Sequence, residues 1–138
     1  RNSNIPLIKE FILYLNKNGY DHVIIPDTDQ IEGVSNFLDS PIFYQGSFNI
    51  YQRNALYELA FTNLFSSNGV ASVSMFNPKS SFIFTKLVNE HWPVSAHEAR
   101  GLKFGSQPLA NGRGIWLWED ESIENLISSF QKIEEWKN

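Results

Sequence analysis

Residues 114–136 read GIWLWEDESIENLISSFQKIEEW, and this stretch predicts a strand followed by a helix. The short apolar run 114–118 is typical of a buried strand. Residues 119–121 are acidic, and a helix dipole favours negative charge at its N-terminus. Beyond them, apolar residues recur at helical spacing, at Ile123, Leu126, Ile127, Phe130 and Ile133. The pattern therefore predicts a closing helix over 121–136 with one apolar face.

The same alternation of strands and helices extends back to the N-terminus. Apolar residues three and four apart predict helix 5–17, and Asn18-Gly19 is a typical helix stop signal. A β-branched run predicts strand 22–26, and Asp27-Thr28-Asp29 is expected to cap the next helix. In chain order the predicted elements are helix 5–17, strand 22–26, a short helix with Ile31, Val34, Phe37 and Leu38, strand 42–45, loop 46–49, helix 50–66, strand 70–76, a helix opened by Asn77-Pro78 with Phe84, Leu87, Val88 and His91 on one face, loop 93–112, strand 114–118 and helix 121–136.

This order, α-β-α-β-α-β-α-loop-β-α, predicts an α/β fold. Strands that alternate with helices favour a parallel sheet with helices on both faces. Right-handed crossovers make this a Rossmann-like, three-layer α/β/α arrangement. With 138 residues and no linker or repeat, the chain is expected to form a single domain over 1–138. It does not begin with Met, so we also consider that it is a fragment of a longer protein.

The composition excludes several classes of function. The chain has no cysteine, which excludes disulfides, thiolate zinc sites, iron–sulfur clusters and a cysteine nucleophile. Its formal net charge is −4 and it has no basic tract, so no nucleic-acid partner is expected. No apolar run approaches the roughly 20 residues of a membrane span, and residues 1–6 lack a signal-peptide pattern. We therefore expect a cytoplasmic protein without a transmembrane segment.

Three predicted strand ends carry residues suited to ligand binding, because ligands of open α/β sheets lie beyond the carboxyl ends of the strands. Gly46 allows the backbone to approach a ligand closely, and helix N-termini offer N–H groups to an anion. The three segments are 26–29, 45–49 and 76–81. Their hydroxyl and amide side chains include Ser47, Asn49, Ser80 and Ser81. The alternative is that these residues are ordinary helix N-caps.

Glu58 is the most informative position in the chain. It lies in the apolar stretch Leu56-Tyr57-Glu58-Leu59-Ala60-Phe61. A carboxylate buried among apolar residues needs a hydrogen-bonding partner. One interpretation is an internal partner, such as Arg53 or a backbone group. The other is a carboxylate that accepts hydrogen bonds from the hydroxyl groups of a ligand.

Several signature motifs are absent from the sequence. The chain lacks GxGxxG, GxxxxGK[ST] and GxSxG, which argues against a dinucleotide fold, a P-loop and an α/β-hydrolase. His91 and His97 lie six residues apart, a spacing that matches neither an i, i+4 pair nor HExxH. No metal and no cofactor are therefore expected, and no catalytic residue is assigned.

Three segments together resemble a known family. They are Gly46-Ser47, the apolar helix with Ala-Leu-Tyr-Glu-Leu-Ala at 55–60, and Asn-Gly-Val-Ala-Ser-Val-Ser-Met-Phe at 68–76. With the last strand and helix, they resemble the C-terminal half of GT-B glycosyltransferases over about residues 40–136. The resemblance implies a domain that binds a nucleotide-diphosphate sugar at the carboxyl edge of its sheet. It also implies a separate N-terminal half that supplies the acceptor site.

The resemblance also implies roles for individual residues. Gly46 and Ser47 would face the diphosphate, Glu58 would hold the ribose, and Asn77 would lie near the donor sugar. The leaving diphosphate would be stabilised by helix N-termini rather than by a metal. The full set of expected substrate-binding residues is Gly46, Ser47, Asn49, Arg53, Glu58, Asn77 and Lys79.

The alternative function is a non-enzymatic α/β module of the partner-binding or immunity type. Trp92, Trp116 and Trp118 could anchor an interface, because tryptophan is enriched among the residues that dominate binding energy. The competing interpretation is that these tryptophans belong to the core, since Trp116 and Trp118 share one face of a strand.

Overall fold

The computed structural model describes residues 3–28, 31–37 and 39–138, with only the backbone of Glu32. Asp29 of the expected cap and Leu38 of the expected short helix lie outside the described residues. The described chain forms two compact units, one that ends at Leu56 and one that covers residues 57–138. The single domain over 1–138 stays a prediction.

The first unit begins with helix α1, which covers Ile5–Lys17 as predicted. The Asn4 side chain accepts a hydrogen bond from Leu7 N and caps this helix. A 3₁₀ helix follows over Ile31–Phe37. Helix α2 then covers Gln45–Phe48, and helix α3 covers Ile50–Leu59.

The predicted strands 22–26 and 42–45 are wrong in extent. The described residues there form one isolated parallel bridge between Ile24 and Ile42. Pro26 has no N–H to donate, and Gln45 already belongs to α2, so the pairing cannot extend far. The predicted loop 46–49 is wrong for the same reason, because residues up to Phe48 are helical.

The second unit contains a parallel sheet of three strands within the described residues. Strand β1 covers Asn63–Ser66, β2 covers Phe82–Thr85 and β3 covers Gly114–Trp116, in the spatial order β1-β2-β3. Helix α4, Ala71–Phe76, packs against β1 and β2, and helix α6, Ile123–Lys137, packs against β2. The predicted α/β fold, a Rossmann-like parallel sheet with flanking helices, is confirmed.

The predicted helix 50–66 is wrong beyond Leu59, where α3 ends. The Asn63 side-chain amide donates to the carbonyl oxygens of Tyr57 and Ser81, at 3.0 and 2.9 Å. This Tyr57 carbonyl belongs to the last turn of α3, where carbonyl groups are commonly satisfied from outside the helix. The same side chain fixes the start of β1 beside the approach to β2.

The predicted strand 70–76 is wrong, because residues 71–76 form α4. Asn68 Oδ1 accepts a hydrogen bond of 3.2 Å from Ala71 N at the start of this helix. The Ser72 hydroxyl donates to the carbonyl oxygen of Gly69 at 2.6 Å. Two parallel strands need a crossover connection, and α4 lies in the connection between β1 and β2.

The helix predicted to begin at Asn77-Pro78 is also wrong, because residues 82–85 form β2. All four residues of this strand are buried. A central parallel strand covered on both faces is a continuous apolar run without alternation, and periodicity does not distinguish such a run from a buried helix.

The predicted loop 93–112 contains a short helix, α5, over Val94–Glu98. The rest of the segment consists mainly of turns, with left-handed backbone at Leu109, φ 60°, and Asn111, φ 48°. The predicted last strand and closing helix are confirmed as β3 and α6. Among the described residues, no helix combines the length and the apolarity needed to cross a membrane.

Candidate functional site

Three polar side chains lie together at the carboxyl end of β2. Thr85, the last residue of β2, is fully buried. Its hydroxyl donates to Glu121 Oε1 at 2.7 Å, and the carbonyl oxygen of Phe65 lies 3.2 Å away as a second acceptor. Lys86 Nζ lies 3.5 Å from Glu121 Oε2. A hydroxyl, an ammonium and a carboxylate therefore meet at the edge where parallel sheets bind their ligands.

Lys86 has a backbone conformation that is uncommon for a residue other than glycine. Its φ is +57°, which is the left-handed region. Residues held in this region cost of order 1–3 kcal/mol and cluster at functional sites. The lysine side chain remains 28% exposed and the Glu121 side chain 12% exposed. The ion pair is thus largely sheltered from water on the carboxylate side.

Glu121 lies immediately before the N-cap of α6. Ser122 is the N-cap of α6, and its hydroxyl accepts a hydrogen bond of 3.2 Å from Asn125 N. The positive end of the helix dipole therefore adds to the field of Lys86 at the Glu121 carboxylate.

An aromatic cluster lies in the segment that follows Lys86. His97 Nε2 lies 2.8 Å from the carbonyl oxygen of Leu87, so this nitrogen carries the proton. The His97 ring packs edge-on against Trp118 at 5.1 Å and beside Trp92 at 6.1 Å. The Arg100 guanidinium carbon lies 4.4 Å from the centre of the Trp92 ring.

Trp118 is a core residue in the structure. It is 3% exposed, and its indole N–H donates to the carbonyl oxygen of Ser106 at 2.7 Å. Trp116 packs against Phe84 of β2, with ring centres 5.2 Å apart. The core interpretation is therefore confirmed for Trp118, whereas Trp116 is half-buried.

Three of the expected binding residues lie together in the second unit, at its amino edge. Asn77 Nδ2 donates to Glu58 Oε1 at 2.9 Å, and Lys79 Nζ lies 3.9 Å from Glu58 Oε2. Glu58 precedes β1, and Asn77 and Lys79 precede β2. Their expected place beyond a strand's carboxyl end is wrong, because the strand expected at 70–76 is a helix.

Glu58 is exposed rather than buried, so the expected cost of burying its carboxylate does not arise. Ser80 and Ser81 are buried and belong to the same amino edge. The Ser80 hydroxyl bonds to the Ser74 hydroxyl, and the Ser81 hydroxyl donates to the carbonyl oxygen of Arg113 at 2.6 Å. These two serines therefore fix the position of the chain just before β2.

Four expected binding residues lie in the first unit. Gly46 is buried, and a Cβ there would come within 2.9 Å of the Phe43 ring, so packing requires a glycine. The Ser47 hydroxyl donates to the carbonyl oxygen of Pro26 at 2.5 Å. Asn49 Oδ1 accepts from the backbone N–H groups of residues 51 and 52, as the capping alternative predicted.

Arg53, the fourth of these residues, is buried. Its Nε donates to the carbonyl oxygen of Gly46 at 2.6 Å, and its Nη2 donates to that of Pro26 at 3.3 Å. Nη1 lies 3.7 Å from Asp27 Oδ1. The guanidinium thus joins the turn after Ile24 to the start of α2. The ligand roles of all seven expected residues stay predictions.

Sequence reasoning missed Thr85, Lys86 and Glu121 as a group. The sequence pattern predicts a helix over Thr85 and Lys86, and it indicates for Glu121 only a charge that suits a helix N-terminus. No group of three or more histidine, aspartate or glutamate side chains in the described part of the chain could hold a metal ion.

The chain matches no protein-family model, no curated protein and no solved structure.

Proposed function

We propose that the chain is the donor-binding portion of a glycosyltransferase, and that the carboxyl edge of its sheet binds a nucleotide-diphosphate sugar. One observation carries the proposal, the meeting of Thr85, Lys86 and Glu121 beyond β2. An ammonium pairs with the charged oxygens of a diphosphate. A carboxylate accepts hydrogen bonds from two neighbouring hydroxyls, as a ribose presents them.

Lys86 is the residue proposed to pair with the diphosphate. Its left-handed backbone ends β2 and starts the chain away from the sheet. Glu121 is proposed to accept the ribose hydroxyls, because a carboxylate oxygen has lone-pair capacity beyond a single contact such as that with Thr85 or Lys86. These are the roles that the family resemblance suggested for Gly46, Ser47 and Glu58.

The proposal includes a second half of the enzyme and a cytoplasmic location. The acceptor site and the catalytic base would come from that second half, so the chain by itself would bind the donor without transferring its sugar. The parallel sheet and its flanking helices support this proposal, since such sheets bind nucleotides at their carboxyl edge.

The test is calorimetric titration with UDP, GDP and CMP and one sugar conjugate of each. We expect one base to bind and to raise the melting temperature, because a ligand that binds only the folded state stabilises it. Lys86→Ala should weaken binding about tenfold or more, since a hydrogen bond to a charged group contributes about 1.5–3 kcal/mol. Circular dichroism checks that the variant is folded.

Lys79→Ala is the matched control, because Lys79 forms the corresponding lysine–glutamate pair at the amino edge. Its affinity should equal that of the unchanged chain. Weakening by Lys79→Ala and Glu58→Gln, with Lys86→Ala unaffected, would place the site at the amino edge instead. Failure of every nucleotide to bind would refute the donor-binding function.

A further inference from the structure

Side-chain hydrogen bonds attach the segment between α5 and β3 to Trp116, the last residue of β3, and to Trp118 just after it. Gln107 Oε1 accepts from Trp116 N at 2.6 Å, and Gln107 Nε2 donates to the carbonyl oxygen of Trp116 at 2.7 Å. The Trp118 indole donates to the carbonyl oxygen of Ser106 at 2.7 Å. Ser106 and Trp116 are therefore held in the same small region, at the carboxyl end of β3.

Two polar atoms of this region are buried and have no hydrogen-bond partner among the described residues. They are Ser106 Oγ and Trp116 Nε1. An indole N–H can only donate, whereas a hydroxyl both donates and accepts. Buried polar atoms are almost always paired, so each exception calls for an explanation such as a bound polar group. A hydroxyl group that reaches both atoms would accept from the indole and bond to the serine.

The surroundings of these two atoms are aromatic. The Trp116 and Trp118 rings are nearly parallel, with centres 6.5 Å apart and planes 24° apart. Phe104 packs against Trp118 at 5.8 Å and is 53% exposed. Binding sites for small molecules combine such apolar rings with a few polar groups that fix the orientation. A sugar has this chemistry, because it carries hydroxyls on an apolar ring face.

We propose that Ser106 Oγ and Trp116 Nε1 form a binding site for one hydroxyl group. The hydroxyl belongs either to a sugar or similar polyol whose ring packs against Phe104, or to a bound water. The site goes beyond the proposed nucleotide site and does not depend on it, since Lys86 and Glu121 take no part. The sequence offered no signal for it, because Ser106 lay in an unassigned loop.

The test follows the indole N–H resonances of the four tryptophans by NMR. Single Trp→Phe variants assign the resonances. Glucose, galactose and glycerol are titrated in turn, and magnetisation transfer from water to the indole protons is recorded without them. Trp136, on α6 and 48% exposed, provides the control resonance.

A polyol site predicts a saturable shift of the Trp116 resonance with an unchanged Trp136 resonance, and Ser106→Ala should weaken that binding at least tenfold. A water site predicts transfer from a long-lived water to the Trp116 indole, lost in Ser106→Ala, without a polyol shift. Either result supports the hydroxyl site and identifies its source. Absence of both overturns the proposal, and so does a higher melting temperature of Ser106→Ala, since removal of a truly unpaired buried hydroxyl stabilises the fold. A nucleotide titration is a separate readout, so failure here leaves the proposed function standing.

Discussion

The Thr85 hydroxyl donates to Glu121 Oε1 over 2.7 Å and so links the end of β2 to the residue before the N-cap of α6. We predict that Thr85→Val, which keeps the shape of the side chain, lowers the free energy of unfolding by about 1.5–3 kcal/mol. The reason is that the lost hydrogen bond has a charged acceptor. Urea denaturation followed by circular dichroism measures the change.

A double-mutant cycle with Glu121→Gln tests whether this loss comes from the Thr85–Glu121 contact. The two residues touch, so their effects should not add, and a coupling of about 0.5–3 kcal/mol is expected. Strict additivity would show that the contact contributes nothing and that the valine acts through packing alone.

Gly114 is packed against the Phe82 ring. A Cβ on Gly114 would come within 2.4 Å of that ring, closer than two carbon atoms can approach. We predict that Gly114→Ala lowers the free energy of unfolding by about 1–3 kcal/mol, because an overpacked core forces side chains from their preferred rotamers. The control is Gly69→Ala, where a Cβ would meet nothing within 4 Å. Equal melting temperatures for the two variants would contradict the prediction.

Helices and strands whose sequence signals are all local could be predicted. Helices α1 and α6 each combine a regular apolar stripe with a capping residue, Asn4 or Ser122, and both lie where the sequence predicted them. Strand β3 is a short apolar run between turn residues and was also found. In these places, the local pattern and the tertiary fold favour the same conformation.

Elements decided by tertiary context were not predictable. The buried run of β2 has no period of its own, while Phe84, Leu87, Val88 and His91 happen to follow helical spacing. Helix α4 contains Ala71-Ser72-Val73-Ser74-Met75, which alternates like a strand, yet α4 lies in the crossover between two parallel strands. Each local preference was weaker than the packing of the sheet.

The candidate site escaped sequence reasoning for the same reason. Thr85 and Glu121 lie 36 residues apart, and only the position of β2 brings them together. Lys86 carries no motif, and its left-handed backbone cannot be inferred from a lysine. Asn49 was different, because an asparagine before a predicted helix is a recognised N-cap, and it caps α3.

Arg113 holds the segments before β2 and β3 together. Its guanidinium donates to the carbonyl oxygens of Ser80 and Met75 at 2.6 and 2.7 Å, and burial lowers its pKa. We predict that Arg113→Met lowers the free energy of unfolding by about 2–4 kcal/mol, because several carbonyls lose their donor at once. Arg113→Lys should recover little of this, since one ammonium cannot reproduce the planar fork.

Arg100→Met is the comparison for this experiment. Arg100 is exposed, donates a hydrogen bond to the carbonyl oxygen of Ala96 and lies over the Trp92 ring, a contact that contributes about 0.5–1 kcal/mol at exposed sites. Its replacement should change the free energy of unfolding by less than about 1 kcal/mol. A larger loss for Arg100→Met than for Arg113→Met would reverse the assignment of the structural arginine.

Lys137 should make stability depend on pH in the alkaline range. Its ammonium donates to the carbonyl oxygen of Phe61, and burial lowers its pKa from the ordinary value of 10.5. The unfolded chain then binds more protons than the folded chain just below pH 10.5, so stability rises with pH in that window. We predict that the free energy of unfolding, measured relative to Lys137→Met, increases as the pH approaches 10.5. The same pH series with Lys132→Met controls for the loss of any lysine from α6. A difference in unfolding free energy between the unchanged chain and Lys137→Met that falls with pH would contradict the prediction.

Gln107 covers the outer edge of β3. Its side-chain amide pairs with both the N–H and the carbonyl oxygen of Trp116, as a neighbouring strand would. An uncovered edge strand presents unpaired backbone groups and is a site of pairing with other chains. We predict that Gln107→Met, which keeps the length without the amide, speeds hydrogen exchange of the Trp116 backbone amide about tenfold or more, since exchange reports local opening. Gln52→Met, at an exposed position of α3, should leave the exchange rate of that amide unchanged.

In Gln107→Met, the outer edge of β3 would also become available to a second copy of the chain, so sedimentation of this variant should show concentration-dependent association. Unchanged exchange at Trp116 would mean that the strand needs no cover from Gln107.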